Sequence, residues 1–179
     1  QHPDSRFVNQ VRISHPETGL PVGPDIVGEI TIKNPAVMPG YWRNEEQTSQ
    51  SLRDGWLYTG DLGWLDRDGY LYFVDRKKDM VLRGGENVYC AEVEAAIYRH
   101  PSVAECSVFG VPDDRLGEEV GVAVVLKPGE DLAAVTLREH CAGIMAKHKV
   151  PRYVWFLTAL PRNASGKFIK RDLKEQLTK

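Results

Sequence analysis

The sequence predicts an α+β protein in two parts, a small β-rich region followed by a compact layer of helices against strands. Three observations carry this. Alternating apolar residues and hairpin turns fill residues 1 to about 75. From Met80 the pattern changes to helical periodicity interleaved with β-branched runs. No internal repeat, low-complexity stretch or apolar run of membrane-spanning length interrupts either part.

In chain order, Val8, Val11 and Ile13 precede the turn Glu17-Thr18-Gly19, and Glu29-Ile30-Thr31-Ile32-Lys33 alternates as a half-buried strand should. Asn44 followed by Gln47 resembles a capping box, so a short surface helix is expected up to Leu52, ended by Asp54-Gly55. Leu62 to Leu65 and Tyr70 to Val74 flank Asp66-Arg67-Asp68-Gly69 as a hairpin, and the region as a whole reads as a small barrel or distorted sheet. Beyond Met80, a helix over Ala91–His100 presents Val93, Ala96 and Ile97 on one face and stops at Pro101. Val103–Val111 and Glu119–Leu126 read as strands separated by Pro112-Asp113-Asp114-Arg115. A second helix over Thr136–Ala146 would pack Leu137, Cys141, Ile144 and Met145, followed by a strand at Tyr153–Leu157 and a terminal helix at Ile169–Leu177.

Composition is that of a soluble globular protein, 42% hydrophobic and 27% charged. The first residues lack both the layout of a signal peptide and an initiator methionine, so the chain is expected to begin inside a longer protein. Three widely spaced cysteines predict reduced thiols and a cytoplasmic protein, with no metal knuckle and no disulfide framework. Net charge is −2, but residues 136 to 179 hold ten Lys and Arg against three acidic residues. That basic end suits a phosphorylated small molecule better than nucleic acid, because base-stacking aromatics are not interleaved with it.

Several stretches carry candidate chemistry. In Tyr58-Thr59-Gly60-Asp61, a sharp turn fixes a carboxylate that either caps the turn or accepts two hydrogen bonds from a diol. Asp75-Arg76-Lys77-Lys78-Asp79 is a solvated charge run or a hinge. Arg83-Gly84-Gly85-Glu86-Asn87-Val88-Tyr89 holds two glycines that permit a tight turn or a close approach of backbone to ligand. Pro161-Arg162-Asn163-Ala164-Ser165-Gly166-Lys167 presents a lysine on a polar loop, an ordinary surface cation or one that meets a phosphate. Lys149 and Arg152 flank Pro151 as either solvated surface or phosphate contacts.

Together, in this order, these elements resemble the adenylate-forming superfamily of acyl-CoA synthetases, adenylation domains and luciferase-type ligases. Gly40-Tyr41-Trp42, Gly110-Val111-Pro112-Asp113 and Gly117-Glu118 match the family's spacers, so the similarity covers nearly the whole chain. Cys90 departs from it, since many members have proline there. The resemblance implies that residues 1–76 are the last, β-rich subdomain of a large adenylating domain and residues 77–179 the mobile C-terminal lid. It also implies an ATP-dependent ligase that joins a fatty or other small-molecule carboxylic acid to CoA through an acyl-adenylate, with Mg²⁺. Asp61 and Arg76 would then meet the ribose of ATP, and Lys167 would be catalytic at the α-phosphate. Lys78 would be the pivot, Gly84, Gly85 and Glu86 would line the CoA path, and Lys149 and Arg152 would contact CoA phosphates. No residue is assigned to a metal. The family's phosphate-cradling loop, acyl pocket and adenine motif are not found in the chain, so it is expected to be inactive without an N-terminal domain. Two alternatives are an adenylation domain that loads a carrier-protein thiol and a non-catalytic module that keeps the lid fold; the Arg83–Asn87 stretch looks more like the CoA-ligase branch.

Overall fold

The computed structural model of the chain describes residues 9–164, 166 and 168–178, so Val8, Ser165 and Lys167 lie outside the described residues. The chain divides into two units between Lys78 and Asp79.

The first unit is built on an antiparallel sheet of five strands: β1 (Gln10–Ser14), β2 (Gly28–Lys33), β3 (Leu52–Arg53), β4 (Trp56–Leu65) and β5 (Leu71–Arg76). Their order is β1-β2-β4-β3, with β5 also paired to β4, so the long β4 serves three neighbours. The short helix α1 (Glu45–Ser51) starts where Asn44 predicts, the Asn44 side chain accepting from the Gln47 amide at 3.0 Å. Asp54 and Gly55 both adopt positive φ, 51° and 77°, which closes β3 onto β4 in two residues. In the next hairpin Asp66 accepts from the amides of Asp68 and Tyr70, at 3.0 and 2.8 Å.

The alternation in β2 misleads. Glu29 and Thr31 would point to water if the strand were half-buried, yet both are buried. Their polar atoms are satisfied internally: the Thr31 hydroxyl meets Ser14 Oγ at 3.1 Å and donates to the Arg12 carbonyl at 3.2 Å. Gly28 and Gly63 face one another across β2 and β4. A Cβ at Gly28 would lie 2.5 Å from the Ser14 carbonyl, and one at Gly63 2.5 Å from the Tyr72 carbonyl. Neither backbone has room to retreat within a paired sheet. Gly63→Ala is therefore expected to destabilise this unit by about 1–3 kcal/mol, as overpacking does elsewhere; thermal unfolding followed by circular dichroism checks it, and an unchanged midpoint would refute the close approach.

The second unit holds the other five strands: β6 (Val81–Arg83), β7 (Glu86–Val88), β8 (Val103–Asp113), β9 (Gly117–Leu126) and β10 (Tyr153–Phe156). Strand β9 is central, with β8 antiparallel along its full length, β10 parallel to residues 121–124, and β6 joined to it at Arg83 and Gly117. Helices α2 (Cys90–Ile97), α3 (Ala134–Ala142) and α4 (Lys170–Leu177) complete the unit. Val120, Val122 and Val124 share a core with Val93, Ile97 and Leu137, whereas Ala123 packs with Phe109 and Leu173. Alternate residues of β9 thus face α2 and α3 on one side and α4 on the other. Coverage on both faces explains the unbroken apolar runs of β8 and β9. Pro112 is accommodated because β8 pairs only with β9 and leaves its other edge free of a ladder.

Several features of this unit differ from expectation: α2 ends at Ile97 rather than His100, and Pro112 and Asp113 lie within β8 rather than between the strands. Strands β6 and β7, only three residues each, have no readable periodicity in the sequence. Helix α3 ends at Ala142 rather than Ala146, so Ile144 leaves the helical face and is exposed while Met145 remains packed on the core. All three cysteines are buried, and none forms a disulfide among the described residues.

Candidate functional site

The Tyr58–Asp61 stretch lies within β4, where the pairing with β2 slips. Glu29 pairs with Leu62 and Thr31 with Tyr58, which leaves Thr59, Gly60 and Asp61 opposite the single residue Ile30. A bulge of this kind re-aims side chains at the edge of a sheet. Its conformation is pinned at each residue. The Thr59 hydroxyl donates to the Ile30 carbonyl at 2.8 Å and accepts from the Asp61 amide at 3.1 Å, while the Gly60 amide donates to Glu29 Oε1 at 3.1 Å. Gly60 has φ of 75° and nothing within 4 Å of the place a Cβ would occupy, so glycine is required there by backbone conformation alone.

Asp61 pairs in register with Arg76 on β5, and their side chains meet at 3.4 Å (Nε to Oδ1). With Thr59, Gly60, Lys77 and Lys78 they line an open pocket of ≈ 410 Å³. Both members of the pair are partly exposed, 36% for Asp61 and 52% for Arg76. Such a pair is worth roughly 0–1 kcal/mol, so a ligand can open it at little cost. Lys77 is committed elsewhere, donating to Glu29 Oε2 at 2.9 Å and to the Pro16 carbonyl at 2.8 Å. The pocket therefore offers one carboxylate that accepts from hydroxyls, beside cations that attract an anion. The structure brings Asp61, Arg76 and Lys78 together here.

In the second unit, Gly84 and Gly85 form the two-residue turn between β6 and β7, with φ of 59° and 86°. Positive φ at both positions is the geometry that asks for glycine twice. The turn connects two strands rather than leading straight into α2. Its base is fixed by the Gly84 amide donating to the Leu116 carbonyl at 2.8 Å and by Arg83, which donates through Nε and Nη2 to Glu119 at 2.7 and 2.9 Å. The Arg83 hydrogen bond holds the Glu119 carboxyl below its ordinary range despite burial. Arg152 shares Glu119 at 3.4 Å and lies near Asp113 at 3.8 Å. The amides of Leu116 and Arg115 hold the Asp113 carboxyl below its usual range. Gly84, Gly85, Glu86 and Arg152 are thus tied to one corner of the sheet. Lys149 belongs to a 3-10 turn beside β7 and is paired with Glu92 of α2, 2.7 Å from each oxygen.

Around the Pro161–Lys167 loop, Arg162 bridges to Phe168, its guanidinium donates to the Gly166 carbonyl at 2.8 Å, and Gly166 donates to the Asn163 carbonyl at 2.9 Å. Lys167 itself lies outside the described residues.

Sequence reasoning missed the residues that hold these parts in place. Glu29, Lys77 and Glu119 read as ordinary polar positions; the one available signal was a charged residue at the edge of an apolar run. No group of three or more His, Cys, Asp or Glu side chains among the described residues is placed to hold a metal ion, and no helix among them is long and apolar enough to cross a membrane.

Residues 92–167 match the AMP-binding enzyme C-terminal domain. The chain is 45% identical over 161 residues to a 2-succinylbenzoate–CoA ligase of Geobacillus kaustophilus, covering 90% of this chain and 33% of that protein. It is likewise 45% identical over 162 residues to a long-chain-fatty-acid–CoA ligase of Bacillus subtilis, covering 90% and 29%. Among solved structures, ATP-bound MatB from Rhodopseudomonas palustris superposes with a TM-score of 0.88 at 39% identity, over 95% of this chain and 34% of that one. The o-succinylbenzoate CoA synthetase MenE of Bacillus subtilis, in complex with the acyl-adenylate intermediate OSB-AMP, gives 0.84 at 40% identity, over 94% and 34%. The chain spans about a third of the length of the curated relatives it matches.

Proposed function

Since the chain belongs to the adenylate-forming acyl-CoA synthetase superfamily and matches the C-terminal portion of its members, we propose that it serves a ligase that converts a carboxylic acid, ATP and CoA into an acyl-CoA, AMP and pyrophosphate. The observation that carries this reading is the Asp61–Arg76 register pair in the bulge pocket. In the first half-reaction the acid's carboxylate attacks the α-phosphorus and pyrophosphate leaves. Asp61 accepts from the ribose hydroxyls, Arg76 flanks it, and Lys167 offsets charge gathering on the phosphoryl oxygens. In the second, the CoA thiol attacks the acyl carbon and AMP leaves. Gly84, Gly85 and Glu86 then form the turn that lines the pantetheine path, with Arg152 and Lys149 toward the CoA phosphates.

Lys78 is the pivot between the two steps, a reading supported by the boundary of the units between Lys78 and Asp79. Mg²⁺ would come with the nucleotide, held chiefly by its phosphates, as this hard cation prefers. The acid is an aromatic or fatty carboxylate, the classes named for the relatives, and a reducing cytoplasm suits three thiols that form no disulfide among the described residues.

The test is ATP–pyrophosphate exchange by the full ligase that carries this chain, over a panel of carboxylic acids. Asp61→Asn is expected to raise KM for ATP roughly 10- to 100-fold, because a charged acceptor of hydrogen bonds is worth about 1.5–3 kcal/mol. Exchange that proceeds equally well without the Asp61 carboxylate would refute the ribose assignment. Absence of exchange with every acid would leave a binding module.

A further inference from the structure

Glu29 is a carboxylate in the middle of a sheet, its side chain only 6% exposed. Burying that charge is costly unless each oxygen finds a strong partner. Both do. Oε1 accepts from the Gly60 amide at 3.1 Å, and Oε2 accepts from the Lys77 ammonium at 2.9 Å. Gly60 immediately precedes Asp61, and Lys77 immediately follows Arg76. One buried carboxylate therefore grips β4 and the residue just past β5 at the positions adjoining the Asp61–Arg76 pair of the pocket.

We infer that Glu29 is a positioning residue for nucleotide recognition, locking the bulge of β4 to the end of β5 so that the Asp61 carboxylate is held where the ribose hydroxyls arrive. The inference rests on the ribose assignment of Asp61. Without Glu29 the bulge keeps the Thr59 hydroxyl, which holds the Ile30 carbonyl and the Asp61 amide, and the pairing of Asp61 with Arg76, but loses the bond to the Gly60 amide. Gly60, with positive φ and open space around it, then has other backbone conformations within reach. Lys77 would keep its bond to the Pro16 carbonyl but lose its charged partner, loosening the residue next to Arg76.

The experiment compares Glu29→Ala, Glu29→Gln and Asp61→Asn in the full ligase, with ATP and 2′-deoxy-ATP as substrates. Glu29→Ala is expected to raise KM for ATP roughly ten-fold, about one charge-assisted hydrogen bond, with kcat much less affected. It should also compress the preference for ATP over 2′-deoxy-ATP. Glu29→Gln keeps an acceptor for Gly60 and the volume of the side chain, so it should fall between wild type and Glu29→Ala. If Glu29 acts through Asp61, the double variant is no worse than Asp61→Asn alone.

Equal losses for both nucleotides, or additive losses in the double variant, would show a merely structural carboxylate and overturn the inference. A failed ribose assignment looks different, because Asp61→Asn alone would then leave the preference intact and the functional role of Glu29 would fall with it. The clamp is also read directly by amide hydrogen exchange in the 179-residue chain. Glu29→Ala should cost Gly60 roughly ten-fold in protection relative to the amides of β9, and an unaltered rate would overturn the clamp whatever the kinetics say.

Discussion

Glu119→Ala is expected to cost the second unit about 3 kcal/mol, the low end of what breaking a buried ion pair costs. Glu119 is 1% exposed and neutralises two guanidinium groups, Arg83 at 2.7 and 2.9 Å and Arg152 at 3.4 Å. Alanine leaves Arg83 without this anion and Arg152 with the more distant Asp113, at 3.8 Å. The low end applies because Arg83 is 27% and Arg152 55% exposed, so each recovers some hydration. The pH dependence has a definite sign. The folded-state pKa of Glu119 is depressed, chiefly by the Arg83 hydrogen bond, so its contribution is complete above its ordinary value of 4.5 and is lost as pH falls through the lower folded value. Wild type should therefore lose stability below about pH 4.5 more steeply than Glu119→Gln does. Urea melts at neutral and acid pH measure both effects, and equal acid slopes would refute the pairing.

Lys167→Ala should lower the rate of adenylation about 10²–10³-fold, or roughly 3–4 kcal/mol, by analogy with the loss of one preorganised donor at a developing oxyanion. Thioester formation from a preformed acyl-adenylate should survive. The division follows from the proposed roles, since Lys167 and the Gly84-Gly85 pair are some eighty positions apart in the sequence and are assigned to opposite half-reactions. Single-turnover kinetics of each half-reaction separate the two. Equal losses in both would sink the division of labour.

Much of the fold was legible because local chemistry fixed it. Asn44 capped α1, Asp66 folded the hairpin between β4 and β5, and the β-branched runs became β8 and β9. What escaped was set by neighbours remote in sequence. The alternation of Glu29 and Thr31 promised a wet face, but both side chains are buried against partners distant in sequence, Lys77 and Gly60 for Glu29 and Ser14 for Thr31. Strands β6 and β7 were too short to show a period, and α3 ended a turn early, at Ala142, ahead of Gly143. The residues of the pocket were visible as types, Asp61 and Arg76 above all, through their resemblance to a family. Their pairing was not, because it depends on the register of β4 against β5, which shifts between Leu62 and Gly63 and which no local pattern announces. The supporting carboxylates Glu29 and Glu119 were invisible for the same reason: each is explained only by its partners.

The burial of the three cysteines bears on the company this chain would keep. A ligase that hands an acyl group to a thiol works amid CoA and its disulfide, and any reactive cysteine would be captured as a mixed disulfide. That exchange runs through the thiolate, in proportion to its abundance and access. Burial pushes the Cys106 thiol up to about 12 and the Cys141 thiol up to about 11, while the Cys90 thiol, also buried, donates to the Asp79 carbonyl at 2.7 Å. The Cys106 and Cys141 thiols therefore stay protonated at neutral pH. Both would thus compete poorly with a thiol substrate of the proposed ligase.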